Sequence, residues 1–219
     1  MYNLILKFSH SQINAMRRTK TEAEQTRQAI MESARRLFAE RGVARTSLDQ
    51  IAQAAGLTRG AIYWHFANKA ELFTALREDS LLPFFQGMGE TLQEDAHGDP
   101  LRALEEMFLY MLHALETDAG TRDTFSLIIL KCEYVGEFRA VLASMLPRSE
   151  EWVGKIREAY MAAEREKLLR PGLDPELLAL DSQAFLFGLT RLWLMDETGT
   201  TLRGKAEAMI RCHIATRRA

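Results

Sequence analysis

The sequence reads as an all-α protein of nine helices, an N-terminal helix-turn-helix three-helix bundle followed by a larger helical body. Strand patterns are nearly absent: there are no alternating β-branched runs and no Asn-Gly hairpin turn. Apolar residues recur instead at i, i+3, i+4 and i+7 through most of the chain. Between these runs stand residues that start and stop helices, with Thr, Ser, Asp and Asn ahead of them and Gly and Pro behind.

Thr21 followed by Glu24 forms a capping box, opening a first helix that reaches about Arg41 and is stopped by Gly42. Its apolar stripe is Ile30, Ala34, Leu37 and Phe38. Thr46 or Ser47 caps a short second helix carrying Leu48, Ile51, Ala52 and Ala55, and Gly56 closes it. Thr58 caps a third helix, which runs to Phe66. Two short helices joined through a glycine turn make a helix-turn-helix. Asn68 with Glu71 caps a fourth helix, continuing toward Glu94 and bending near Pro83. The segment 96–100 breaks the chain, with Asp99 as cap and Pro100 as first helical residue. Further helices fall at roughly 100–117, 121–132, 137–168, 175–195 and 201–216. Pro147 kinks the third of these, while Pro171-Gly172 and the segment 197–200 separate the last ones. Two segments, 101–115 and 177–195, are apolar over more than one face, which predicts burial on both sides. The first belongs in the middle of the body and the second at a subunit interface.

An apolar fraction of 47% and a charged fraction of 26% suit a soluble globular chain. No apolar run is long enough to span a bilayer. Cys132 and Cys212 show no metal-ligand or redox spacing, nor do the five histidines, so neither a metal nor a cofactor is expected. A reducing cytoplasm fits, with both thiols as small buried hydrophobes. The first fifteen residues hold one basic residue and no small-residue cleavage pattern. With Met16 standing directly ahead of Arg17-Arg18, residues 1–15 read as an upstream extension or a loosely held arm.

The net charge of −2 conceals an asymmetry. From Arg17 to Lys69 there are 10 basic residues against 5 acidic ones, whereas the remainder to the C-terminus is acidic. A basic front on an acidic body suits a polyanion-binding end. The third helix shows what would touch the polyanion. Ile62 and Phe66 share a face and pack inward, leaving Arg59, Gly60, Tyr63 and Trp64 on or near the other side. Thr58 at the helix N-terminus can offer its hydroxyl and nearby amides to a phosphate. Tyr63 and His65 can donate to phosphates, Lys69 adds a charge, and Arg59 has the planar fork that suits guanine in the major groove.

The stretch TSLDQIAQAAGLTRGAIYWHFANKAELF, Thr46 to Phe73, resembles the DNA-binding signature of the TetR family of bacterial repressors. The resemblance extends upstream through TRQAIMESARRLFAERGVARTS. The opening RRTKTEAEQTR and the later LKCEYVGE are similar to the AcrR-like branch, which represses multidrug efflux pumps. Beyond the N-terminal third, it holds only in helix layout and the 130–137 motif. It implies an all-helical homodimer, with three helices for DNA and six for ligand binding and dimerisation. Domains then fall at 16–67 for DNA binding and 68–219 for ligand binding and dimerisation. Carried over position by position, the DNA-contacting residues are Arg45, Thr46, Thr58, Arg59, Gly60, Tyr63, Trp64, His65 and Lys69. Tyr63, His65 and Lys69 would be phosphate clamps and Arg59 the base reader. Two such heads would bind a near-palindromic double-stranded operator in successive major grooves.

The body should hold a sensor for a hydrophobic small molecule. Ten methionines and a supply of phenylalanine suit a pocket that adapts to varied apolar shapes. By family layout the lining would include Phe84, Phe85, Met88, Phe108, Met111, Leu127, Phe138, Trp152 and Phe185, with Lys131 and Glu133 as polar handles. Phe187, Leu194, Leu202, Met209 and Ile210 are expected at the dimer interface. Catalysis is not expected: there is no Ser-His-Asp arrangement on a nucleophile turn and no phosphate-cradling glycine loop, and Glu105-Glu106 and Glu150-Glu151 read as solvated helix faces. The rival within DNA-binding regulators is one that answers a metabolite such as an acyl thioester.

Overall fold

The computed structural model describes the backbone of residues 2–94 and 98–219, and the side chains of 21–92 and 98–219. Nine α-helices form among the described residues: α1 Tyr2–Arg41, α2 Leu48–Ala54, α3 Arg59–His65, α4 Lys69–Glu94, α5 Pro100–Thr117, α6 Ala119–Ser126, α7 Arg139–Arg165, α8 Pro175–Met195 and α9 Ala206–Ala215. They fall into two compact units, Met1–Leu76 and Arg77–Ala219.

The local signals set most boundaries. Ser47 caps α2 in a full capping box with Gln50. At the end of α2, Leu57 N donates to Ala52 O at 2.9 Å and Gly56 N to Gln53 O at 3.1 Å, with Gly56 at φ +69°. This is a Schellman closure, and its left-handed residue is the reason a glycine stands there. Thr58 Oγ1 then accepts from Ala61 N at 3.2 Å to start α3. Asn68 caps α4 by accepting from Glu71 N at 2.8 Å, while the Glu71 carboxylate reaches back to Ala67 N at 2.7 Å. Asp99 caps α5 through Leu101 N and Arg102 N, ahead of Pro100. The expected break between α4 and α5 lies partly outside the described residues, at 95–97.

Three expectations need correction. Thr21 does not begin α1, which is already helical from Tyr2. No glycine or proline interrupts residues 2–41, and Glu24 accepts instead from Gln28 Nε2 one turn on, at 3.1 Å. The helix expected at 121–132 starts earlier, because Asp118 caps it, and widens into a π turn at Leu127–Lys131. The carbonyls this frees are taken by side chains: Tyr134 Oη donates to Ile128 O at 2.9 Å and Arg191 Nη1 to Ile129 O at 3.0 Å. The helices expected at 137–168 and 201–216 also shorten, with 3-10 turns at Gly136–Phe138 and Arg203–Lys205 ahead of α7 and α9.

The first unit is held by Ile30, Met31, Ala34, Leu37 and Phe38 of α1, Leu48, Ile51 and Ala52 of α2, and Ile62 and Phe66, all buried. It takes in the opening of α4, since Leu72, Phe73 and Leu76 are buried and the Phe73 ring lies 6.1 Å from Phe38. In the second unit α5 is central, packed against α6, α7 and α9. Leu101, Leu104, Met107 and Phe108 are fully buried, as its apolar surround predicts. Among the described residues no helix is long and apolar enough to cross a membrane.

Candidate functional site

The helix-turn-helix presents α3 with two unlike sides. Ile62 is fully buried and Phe66 nearly so, which fixes the helix against α1 and α2. Arg27 of α1 adds a cation over the Phe66 ring at 5.2 Å. Facing outward are Thr58, Arg59, Gly60, Tyr63 and Trp64, with Tyr63 44% and Trp64 72% exposed. A tryptophan that exposed gains little burial from its own protein. At Gly60 an added Cβ would meet nothing nearer than Thr58 Oγ1 at 3.9 Å. Packing within the chain therefore does not require glycine there, and its absence of side chain leaves the outer face flat between Arg59 and Tyr63.

The remaining groups are placed as follows. Arg59 Nε lies 3.3 Å from Asp49 Oδ1, both side chains at least half exposed, and its guanidinium sits 5.4 Å from the Tyr63 ring centre. Arg45 is exposed and its Nε donates to Arg41 O at 2.9 Å. His65 is half-buried, edge-on to Trp64 at 4.6 Å. Burial, and then the charge of Arg27, hold its pKa below the ordinary histidine value, so it offers a neutral ring. Two of the expected contact residues turn inward. Thr46 is 2% exposed, and its hydroxyl donates to Gly42 O at 2.9 Å. Lys69 Nζ donates to Val43 O at 2.8 Å and Ala44 O at 3.3 Å, pinning the start of α4 to the α1–α2 turn.

In the second unit the residues expected to line an effector site separate into groups. Phe84 and Phe85 of α4 and Trp152 of α7 join one ring layer. Phe84 meets Phe85 at 5.2 Å, and Phe85 stacks on Trp152 at 5.9 Å. Met88 and Met111 are buried in the same core cluster. Phe108 and Phe185, in or against the same cluster, bring their rings to His213 at 6.2 and 4.0 Å, with Phe185 stacked on it. Leu127 and Phe138 are buried, whereas Lys131 and Glu133 are exposed, on the π turn and the extended segment after it. Sequence reasoning missed Tyr110 of α5 and Phe125 of α6, which complete the layer against Phe84 at 6.1 and 5.2 Å. No local spacing marks them, because the layer is assembled from four helices.

Of the residues expected at a dimer interface, Phe187 is 60% exposed, Met209 is exposed and Leu202 half-buried. Leu194 and Ile210 correct the expectation: both are buried within the unit's own core. Ile210 lies on the Ala206, Ile210, Ile214 stripe that faces α5, and Leu194 lies beside the buried Trp193.

A profile for bacterial regulatory proteins of the tetR family matches residues 30–76. One for the C-terminal region of MAATS-type transcriptional repressors matches residues 99–216. The chain belongs to the TetR family of bacterial regulatory proteins. It is 37% identical over 195 residues to the HTH-type transcriptional regulator TtgR of Pseudomonas putida, covering 89% of this chain and 92% of that one. The crystal structure of NalD, the secondary repressor of the MexAB-OprM multidrug efflux pump in Pseudomonas aeruginosa, superposes with a TM-score of 0.78 at 32% identity, covering 90% of this chain and 97% of NalD. A complex of triclosan with SmeT, the repressor of a Stenotrophomonas maltophilia multidrug efflux pump, gives 0.76 at 28% identity, over 89% of this chain and 92% of SmeT. As a TetR-family member the chain is a helix-turn-helix transcriptional regulator and not an enzyme.

Proposed function

We propose that this regulator represses a multidrug efflux operon, acting in the cytoplasm as a homodimer on a near-palindromic operator and leaving it when a hydrophobic small molecule binds the second unit. The observation that carries the DNA reading is the outer face of α3, where Arg59, Tyr63 and Trp64 stand exposed around a bare Gly60. Laid in a major groove, that face brings the Arg59 fork to base edges and the Tyr63 hydroxyl to the backbone. Support for efflux control comes from NalD and SmeT, and support for a small apolar effector from triclosan on SmeT.

A two-fold dimer places two reading helices on half-sites about one helical turn, roughly 34–36 Å, or a multiple of it apart. An effector releases the operator only by its differential affinity for the two states, typically about 1–3 kcal/mol. The test is a duplex selected by the protein from a random pool. Arg59→Ala should lose about 1–3 kcal/mol of discrimination at one position of each half-site while leaving its affinity for unrelated duplex much the same. Titrating triclosan into the complex should free the duplex. Failure to enrich any duplex, or enrichment of one that triclosan leaves bound with undiminished affinity while it binds the protein, would overturn the reading.

A further inference from the structure

At one point the Tyr110 side chain of α5 reaches the backbone of α4. A Cβ built on Gly87 would lie 2.0 Å from Tyr110 Oη and 2.5 Å from its Cζ, so glycine alone lets the tyrosine tip rest on the α4 backbone. Gly87 sits inside a long helix, a position unfavourable for glycine unless something needs the space. The ring behind that tip belongs to the five-membered layer of Phe84, Phe85, Tyr110, Phe125 and Trp152. Unlike the sealed Phe108 and Tyr160, three of the five (Phe85, Tyr110 and Phe125) are only half-buried. A layer of rings drawn from four helices and left partly open is a poor finished core. It has the composition of an apolar binding site, with one of its own side chains lying in it.

We infer that Tyr110 is an internal occupant of the effector site, seated on Gly87, and that an effector carrying an aromatic ring binds by displacing the tyrosine ring. The inference rests on reading the second unit as a sensor. Tyr110 then sets both threshold and specificity. The closed state lowers the apparent affinity by the fraction of molecules in which the ring is already out. An aromatic molecule restores the ring contacts that Tyr110 gives up, and a flexible aliphatic one does not. Displacement also removes the contact of the Tyr110 tip with the backbone of α4, the helix whose first turns belong to the DNA-binding unit.

The experiment measures triclosan affinity and affinity for the selected duplex in four full-length variants. Tyr110→Ala and the milder Tyr110→Leu remove the competitor, so each should bind triclosan about tenfold more tightly than the parent, the factor by which a ten-to-one closed state lowers affinity. Gly87→Ala puts a methyl where the hydroxyl rests and evicts the ring. It should tighten triclosan binding and, without any effector, weaken duplex binding several-fold. In Gly87→Ala/Tyr110→Ala there is no ring left to evict, so the added alanine should no longer change either affinity. If both Tyr110→Ala and Tyr110→Leu bind triclosan no better than the parent, Tyr110 is an ordinary contact or support and the inference falls, whatever the duplex result. A parent protein that selects no duplex strikes the repressor reading alone, because the triclosan comparison stands without DNA.

Discussion

Arg59 and Lys69 are both cations beside the same reading helix, yet their surroundings give them different duties. Arg59 is paired with Asp49 across an exposed gap, an interaction worth about 0–1 kcal/mol and easily exchanged for a base or phosphate. The Lys69 ammonium is already bound to two carbonyls of the α1–α2 turn. Tyr63→Phe and Lys69→Ala should therefore part company in two measurements. Tyr63→Phe should weaken binding to all duplexes about evenly and leave the melting temperature unchanged, because its hydroxyl end faces solvent. Lys69→Ala should weaken binding and also destabilise the DNA-binding unit by about 1.5–3 kcal/mol, the range for hydrogen bonds to a charged group. Equal melting temperatures for the two variants would return Lys69 to the role of a plain phosphate clamp. The difference was invisible in the sequence. The spacing of Thr58, Ile62 and Phe66 is a local signal, and it located the outer face of α3. The carbonyl partners of Lys69 lie 26 and 25 positions away, and only folding brings them together.

Among the elements, α7, α8 and α9 are tied by a short polar chain within an otherwise apolar interior. Tyr160 and Ser182 hydroxyls lie 2.8 Å apart, and Ser182 Oγ is 3.0 Å from His213 Nε2. Burial, followed by the nearby Arg217 charge, pulls the His213 pKa from 6.5 down to about 4, with Asp181 opposing. The folded protein thus holds His213 neutral over a range where the unfolded chain takes up a proton. The unfolded state binds more protons between those two values, so stability must fall as the pH drops from about 6.5 toward about 4. His213→Gln, which keeps a polar side chain without the titration, should flatten that part of the melting-temperature profile. A parent protein whose melting temperature stays constant across this window would remove His213 as a buried neutral base. Phe185, expected among the effector-lining residues, joins this tie. An aromatic residue on a helix that is apolar all round carries no sign of which neighbour it faces. Here it faces the His213 ring.

For the molecule as a whole, the same ambiguity of α8 becomes informative. Leu178, Ser182, Leu186, Leu189 and Trp193 are buried along one side, while Leu177, Leu180, Phe187 and Met195 are exposed along the opposite one. Periodicity established that α8 has two apolar sides but could not tell the outward from the inward one. That is why Leu194, which is buried, was grouped with Phe187. If a second copy covers the outer side, each face contributes its Phe187 to the other, because a two-fold interface uses the same patch twice. Burying a large apolar side chain is worth about 1.5–3 kcal/mol, and a charge at that position adds a desolvation cost. Phe187→Glu therefore acts twice per dimer and should shift the protein to monomer at micromolar concentration, read by sedimentation, with the melting temperature of the isolated chain little changed. Duplex binding should fall steeply and lose its dependence on the second half-site. Ile210→Ala should behave oppositely, costing about 2–5 kcal/mol of stability through a cavity in the unit's own core while the folded fraction still dimerises. Should Phe187→Glu sediment as the parent does, the exposed side of α8 is not what joins two copies, and the pairing of half-sites needs another surface.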